Sequence, residues 1–514
     1  FDTYFSHRIM FSDKRDGNFV VLDEFLDSSI VYYEGLFDPY EQNWFLIESQ
    51  DSIGQISRGL PYIHPKPSEP VIDSVFFDGN QFWLHWNIET DIDFSTYSIY
   101  FSENEDPLNL YKILDINSQT EDTLIHEVVN SEYFLYQIMT SDVWGLQNKG
   151  PVIEVSSFIK FIKTIDTGFS DELVSVLVNQ DGDYIVLGNS YPSKNWLFKY
   201  DQFGTLISET PLNDNYDLHS IISLNDGGII IAGNYMNMNL ESIFLMKIDS
   251  FGNEEWIKNI NYETNIKSNS LLELANGEIV ITGSLSENDN QNMLVIKLDD
   301  SGKELWNKNF GGSRLEEGYD IIEKDGTIVV LGTTFSGQDA DGDIWLIELD
   351  KDGNSLDSLY ISIPGKQIGY SLFHSDQNEF VIGGTTSSEN SGVSDALLIK
   401  INSYGELIWK YNFGGEYNDL GRSIVYSDGG WVLAGQTYSF GKGMGDLFLL
   451  KVTDLGELSW FKTMGGLGED SAFDISIAND GGFIISGSTF KSSNKDGWLI
   501  KTDDKGNINQ MNLY

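Results

Sequence analysis

GGEYNDLGRSIVYSDGGWVLAGQTYSFGKGMGDLFLLKVTDLGELSW, residues 414–460, is the clearest copy of a phrase that the chain repeats seven times. Its parts recur in order: an apolar run, an Asp-Gly-type turn, a second run ending in Gly plus a small residue, a Gly/Ser-rich loop, a third run, Asp-x-x-Gly, then Trp. The second-run glycine falls at Gly188, Gly233, Gly283, Gly332, Gly384, Gly435 and Gly487, and the later turn glycine at Gly204, Gly252, Gly302, Gly353, Gly405, Gly456 and Gly506. Both series advance by 45 to 52 residues. A fixed period in that range marks stacked supersecondary units rather than an ordinary globular domain.

Each unit reads as four short strands, which suits a propeller blade. In the sixth these are GRSIVYS, WVLAGQT, DLFLLKV and ELSWFKT, innermost to outermost. Asp-Gly at 181–182, 226–227, 325–326, 428–429 and 480–481 supplies the positive φ of a tight hairpin. Asp-x-x-Gly makes a longer turn with its glycine left-handed. A bulky third-strand residue (Trp196, Phe244, Leu294, Trp345, Leu397, Phe448, Trp498) is placed to fill the space between units. Trp256, Trp306, Trp409 and Trp460 each follow the turn glycine by four residues. This pattern resembles the Asp-x-x-x-Gly-x-x-Trp docking motif of quinoprotein-type propellers, and more closely the Asp-Gly-Gly repeats of secreted bacterial propellers and lipoproteins of unassigned function. The resemblance spans nearly all of residues 158–514. It implies a seven-bladed β-propeller and no particular activity, because fold does not fix function. FIKFIKTI (158–165) and NINQMNLY (507–514) both look like outermost strands, so one of them is expected to complete a unit begun at the other end.

Ahead of the repeats, strand-like alternation dominates, and a second repeat lies inside it. FDTYFSHRIMFSDK (1–14) matches DFSTYSIYFSENED (93–106), and NWFLIESQDSIGQISRG (43–59) matches YFLYQIMTSDVWGLQNKG (133–150). The offset is 90 to 91 residues, the length of one small β-sandwich. In the second copy Pro67 and Pro70 stand at the start, Trp86 lies in an early strand, and Phe134, Tyr136, Ile138 and Thr140 alternate before Asp142-x-x-Gly145. Such alternation fills the space between two sheets, with Trp as central filler. This copy resembles a fibronectin type III domain. The first copy lacks everything corresponding to residues before about 93. A cut end and strand donation by a partner chain are the two readings of that gap. The expected organisation is therefore all-β: a partial fibronectin type III-like sandwich over residues 1–66, a complete one over 67–157, and the propeller over 158–514.

Charge and composition narrow the function. The 79 acidic and 31 basic residues give a net charge of −48, which leaves no basic stripe for a nucleic-acid backbone and disfavours an anionic membrane surface. No apolar run approaches the length of a membrane span. The absence of cysteine excludes disulfides, thiolate metal sites and cysteine nucleophiles. The six histidines are scattered without metal-ligand spacing, and no G-x-S-x-G elbow, H-E-x-x-H, Walker loop or dinucleotide fingerprint occurs. The start at Phe1, without Met or a leader, reads as a mature chain or a fragment of a longer one.

The acids fall in order. Asp171, Asp217, Glu316, Asp419 and Asp470 recur on the connections entering an innermost strand, and Asp343, Asp395, Asp446 and Asp496 end the loops between second and third strands. Both sets belong on one propeller face. They are expected either to form a cation- or basic-ligand surface or to cap turns through their own backbone bonds. QDADGDIW (338–345) places Asp339, Asp341 and Asp343 around Gly342, a hard-oxygen set suited to Ca2+, although neither the terminal Glu nor the helix of an EF-hand follows.

The expected function is a non-enzymatic extracellular or cell-surface binding protein of bacterial type, with the propeller as platform for a protein or glycan and the sandwiches as spacers. Two alternatives stand beside it. One is a structural subunit of a surface assembly that self-associates through the N-terminal partial sandwich. The other is a carbohydrate-active enzyme using acids of the loop-rich face.

Overall fold

A computed structural model describes residues 4–508 apart from residues 16, 27–42, 65, 78–80, 104–105, 129–132, 193, 213–214, 288–289, 337–341, 376, 388–393 and 492–493. Among the described residues every named element but one is a β-strand, the exception being a 3-10 turn at Pro107–Asn109. No helix is long and apolar enough to cross a membrane. The chain forms two compact units, residues 1–158 and 159–514.

In the first unit the sequence repeat is a repeat of structure. Phe94–Ser102 and Tyr133–Asp142 pair at the centre of a five-stranded antiparallel sheet, with Tyr111–Ile116 beside the former and Gln147–Lys149 and Ile153–Ser156 beside the latter. Tyr4–Ser12, Asn43–Asp51, Val20–Phe25, Ile56–Arg58 and Tyr62–His64 reproduce that arrangement strand for strand. Even the turn is shared. Asp51 Oδ1 accepts the amides of Ile53 and Gln55, and Asp142 Oδ1 those of Trp144 and Leu146. Gly54 and Gly145 then take φ of 87° and 88°, a backbone conformation that carries a Cβ poorly. The second copy also has a three-stranded sheet (Ile72–Phe77, Gln81–Trp86, Thr123–Glu127), and the two sheets enclose one core of Trp86, Tyr97, Ile99, Tyr136 and Ile138. Among the described residues the first copy has no second sheet, and Val21, Ile47 and Tyr62 on its sheet remain 49–66% exposed.

The second unit is built of seven four-stranded antiparallel sheets. Their first strands are Ser170–Val178, Tyr216–Ser223, Asn265–Glu273, Glu316–Lys324, Gln367–His374, Asp419–Ser427 and Ser471–Ile477, and the sheets are numbered 1 to 7 in that order. Seven apolar clusters hold them together, each drawn from two successive sheets; the one containing Leu173, Val186, Ile484 and Leu499 joins sheet 7 back to sheet 1. The arrangement is a closed, propeller-like ring. It explains why second strands such as Gly430–Thr437 are buried along their whole length: with a neighbour on both faces, alternation gives way to a continuous apolar run. Fourth strands lie outermost and recover an exposed face, as in Glu304–Phe310.

Sheet 7 contains chain from both ends of the unit. Ser471–Ile477, Phe483–Phe490 and Lys495–Lys501 supply three strands, and Phe161–Ile165 adds the fourth, in register from Phe161↔Lys501 to Ile165↔Gly497. Of the two candidate outer strands, the N-terminal one is therefore used here. The other candidate falls mostly on residues 509–514, outside the described residues.

The turns keep the repeat in step. Asp249 Oδ1 accepts the amides of Phe251 and Asn253, and Asp201, Asp299, Asp350 and Asp503 make the same turn. Trp256, Trp306 and Trp409 each donate Nε1–H, at 2.9–3.2 Å, to a carbonyl in the next sheet's turn. Trp306 and Trp409, and less closely Trp256, also lie against the position that a Cβ on that turn's glycine would take. The Asp-Gly turns are of two kinds. At 325–326 and 428–429 both residues have positive φ and the hairpin has a two-residue loop. At 181–182, 226–227 and 480–481 only the glycine does, within a longer turn.

A belt of short polar side chains runs round the first strands at Ser175, Ser220, Ser270, Asp320, Ser371, Ser423 and Asp474. Asp474 accepts from Ser423 Oγ of sheet 6 at 2.9 Å and, in sheet 1, from Ser175 Oγ at 2.8 Å and Val176 N at 3.1 Å. One carboxylate thus ties three sheets across the closure. Replacing it with alanine leaves those donors without an acceptor in a dehydrated place. Asp474→Ala is expected to lower the unfolding free energy by about 2–4 kcal/mol. The exposed Asp217→Ala is expected to stay within about 0.5 kcal/mol. Urea denaturation followed by tryptophan fluorescence measures both.

Candidate functional site

Each first strand carries a β-bulge at the same place. The register slips between Leu173 and Ser175, Leu218 and Ser220, Ser268 and Ser270, Gly318 and Asp320, Gly369 and Ser371, Gly421 and Ser423, and Ala472 and Asp474. The unpaired residues are Val174, His219, Asn269, Tyr319, Tyr370, Arg422 and Phe473. Bulges re-aim side chains, and here they bring residues of different sheets together. Tyr319 and Tyr370 meet edge-to-face at 5.2 Å, and the Arg422 guanidinium lies 5.0 Å from the Tyr370 ring centre. Glu317 accepts from Tyr319 Oη at 3.2 Å and from Asn269 Nδ2 at 2.9 Å. Alongside, Glu469 accepts from Tyr438 Oη and from Gln436 Nε2.

The arc is half-buried. Burial first, and the Glu317 charge second, raise the Tyr319 hydroxyl above its ordinary range. Tyr438 is pushed up to about 12 by burial and then by its bond to Glu469, and that same bond holds Glu469 below the usual carboxylate range. The tyrosines therefore stay protonated as donors and Glu469 stays charged. Two aromatic rings, a planar cation and two anchored carboxylates suit a polar ligand with a flat apolar face.

The sequence-derived acids lie elsewhere. Asp171, Glu316, Asp343, Asp395, Asp419, Asp446, Asp470 and Asp496 are all buried, at most 6% exposed, so they do not display an open ring of charge. Several accept the amide four residues earlier: Asp171 from Thr167, Glu316 from Gly312, Asp419 from Gly415, Asp446 from Lys442 and Asp470 from Gly466, at 2.8–3.0 Å. Asp217 is exposed because it stands one residue out of step. Leu218 matches Leu173, so Asp217 takes the place of Glu172 and Tyr216 that of Asp171. A one-residue shift along a strand sends the side chain to the other face. Asp339 and Asp341 lie outside the described residues; Asp343 is buried at the start of its strand. Burial first, with Asp470 contributing, raises Asp446 above the ordinary range, and burial then Asp166 raise Asp496.

His219 Nε2 lies 3.0 Å from Ser268 Oγ, but that serine is fully buried and desolvation pushes the imidazole down to about 4. A groove of about 860 Å³ beside the stacked Trp345 and Tyr360 is lined by Asp343 as the one acid among the described residues. A second, of about 500 Å³, is lined by Asp181, Asp226 and Asp249. The Gly228 amide and then Lys247 hold Asp226, and the Asn253 side chain and then backbone amides hold Asp249, below the usual carboxylate range. That is the wrong direction for the general acid of a glycosidase.

No family model matches the chain, and no curated protein matches it. Among solved structures it is similar to a protein of unknown function from Bacteroides caccae (11% identity, TM-score 0.36, covering 63% of this chain and 97% of that one). It is also similar to the Neurospora crassa Pan2 WD40 domain (9%, TM-score 0.43, covering 69% and 98%) and to the polysaccharide lyase Uly1 (10%, TM-score 0.42, covering 65% and 90%). These likenesses are loose, and the propeller-like architecture rests on the chain's own seven sheets.

Asp320 gives the region a pH signature. Burial raises it to about 6 from 3.8, outweighing the bonds from Leu372 N, Ile321 N and Ser270 Oγ that pull the other way. The folded chain then holds a proton that the unfolded chain has already released, so this group's contribution to stability falls as pH rises through that window. Relative to Asp320→Ser, which installs the residue of five equivalent positions, the wild type is expected to lose about 1–3 kcal/mol between pH 4 and 7. Denaturant titrations of both proteins across that range measure the difference, and a pH-independent gap is the contrary result.

Proposed function

We propose that the second unit is a seven-bladed β-propeller, that residues 67–157 and 1–66 are a complete and a partial fibronectin type III-like spacer, and that the protein is a non-enzymatic, extracellular or cell-surface binding protein of bacterial type. The observation that carries this reading is the axial arc. The belt, turns and inter-sheet clusters repeat from sheet to sheet with like residues, whereas the seven bulge positions hold six different residue types. Packing does not demand that variety, but recognition of an asymmetric ligand does. The stacked tyrosines with flanking Arg422, Glu317 and Glu469 favour a glycan, whose apolar ring faces lie on aromatics while its hydroxyls take the polar groups.

A glycan array followed by calorimetry on the best ligand tests the assignment. Tyr370→Ala or Arg422→Ala is expected to weaken binding at least about tenfold, the loss of one or two kcal/mol of contact, with the melting temperature little changed. Steady turnover of the bound glycan would replace the binding reading with an enzymatic one.

A second reading draws on the exposed Val21, Ile47 and Tyr62 of the single N-terminal sheet. In it that sheet is an assembly surface for another copy. Light scattering on the full chain and on a chain lacking residues 1–66 separates the two, since assembly through this sheet requires the full chain to be the larger oligomer.

A further inference from the structure

The ring closes where sheet 7 meets sheet 1, and three carboxylates converge there. Asp166 follows the borrowed strand Phe161–Ile165, Asp496 lies in Lys495–Lys501 beside it, and Asp171 lies in the first strand of sheet 1. One oxygen from each comes within 4.8 Å of the other two. Two of the three are oriented by their own neighbours. Asp171 accepts from Thr167 N at 2.8 Å, Thr167 Oγ1 at 2.7 Å and Ser190 Oγ, and Asp166 accepts from Gly168 N at 2.8 Å.

Asp496 differs. It is 6% exposed, its carboxylate oxygen points at the other two acids, and among the described residues no hydrogen bond or ion pair reaches that carboxylate. The nearby cation, Lys491, donates to Thr164 Oγ1 at 3.3 Å and acts on Asp496 through its charge without a direct bond. A carboxylate left without donors inside a fold is costly unless something positive meets it.

The other junctions show that the third acid is particular to this seam. Glu316, Asp419 and Asp470 accept the amide four residues back, as Asp171 does, and the residue just before that amide is Gly311, Gly414 or Gly465. A Cβ on any of these glycines would stand 2.1–2.2 Å from the side-chain oxygen of Asn292, Asp395 or Asp446. At the seam the corresponding residue is Asp166, which brings a carboxylate to the position that the others keep clear.

We propose that a hard divalent cation, Ca2+, binds between Asp166, Asp171 and Asp496 and pins the closure of the ring. Ca2+ takes oxygen ligands at about 2.4 Å, so that ligands on opposite sides of it stand about 4.8 Å apart. Water completes the shell on the exposed side of Asp166. Two ligands come from sheet 7 and one from sheet 1, so the ion crosses the junction that has no covalent connection between third and first strands.

The test uses the full chain after treatment with chelator. Addition of CaCl2 is expected to raise the melting temperature by about 2–5 °C and to give heat in a calorimetric titration. Asp166→Gly, which installs the residue of three other junctions, and Asp496→Asn are each expected to fold, by circular dichroism, and to lose both responses. Absence of Ca2+ binding by the wild type, or a Ca2+ response undiminished in both variants, overturns the proposal.

Discussion

A sheet that buries both faces has no stability of its own, and this constraint governs the second unit. Each of its sheets depends on two neighbours, and the chain satisfies all of them together only by returning sheet 7 to sheet 1. The apolar cluster of Leu173, Val186, Ile484 and Leu499 makes that return in hydrophobic terms. Asp474 makes it in polar terms, holding donors from sheets 6 and 1 on one carboxylate. The borrowed strand Phe161–Ile165 makes it in backbone hydrogen bonds. The repeated turns and docking tryptophans set the spacing that lets these contacts meet.

The bulges let one scaffold serve two ends. Packing requires each first strand to present the same small or apolar residues to its neighbours, which leaves little freedom for recognition. The extra residue at each bulge escapes that requirement. Tyr319, Tyr370 and Arg422 come from three separate sheets and still touch, because the same slip in register places each of them at the same height. Variation is concentrated where it costs the core nothing.

Architecture was legible in the sequence because its signals are local and repeated. The glycine series, the Asp-x-x-Gly turns and the tryptophans each report a contact within one unit or with the next, so the period survives in one dimension. The candidate site was not legible in the same way. Apart from the pair Tyr319 and Tyr370 its residues differ in type, and only their place after Leu173, Leu218, Ser268, Gly318, Gly369, Gly421 and Ala472 unites them. The acids were visible, but their exposure was not. Charge alone suggested an open face, whereas the strand register turns eight of them inward and leaves Asp217, displaced by one residue, outside. Asp166 sits ahead of the first full phrase, and nothing in the repeat marks it.

The pairing of Phe161 with Lys501 joins positions 340 residues apart. A chain emerging from the ribosome makes sheets 1 to 6 before the partner of its own opening strand exists. Through that interval the strand at 161–165 is an open edge and the side of sheet 1 awaiting sheet 7 an uncovered apolar face, surfaces prone to mispairing or association with another chain. Formation of the last sheet converts a linear array into a closed one in a single late step, and non-local pairing of this kind is slow. The route to the native ring is thus ordered by synthesis. The same pairing that closes the finished ring makes the nascent one depend on being kept from its neighbours until that last sheet has formed.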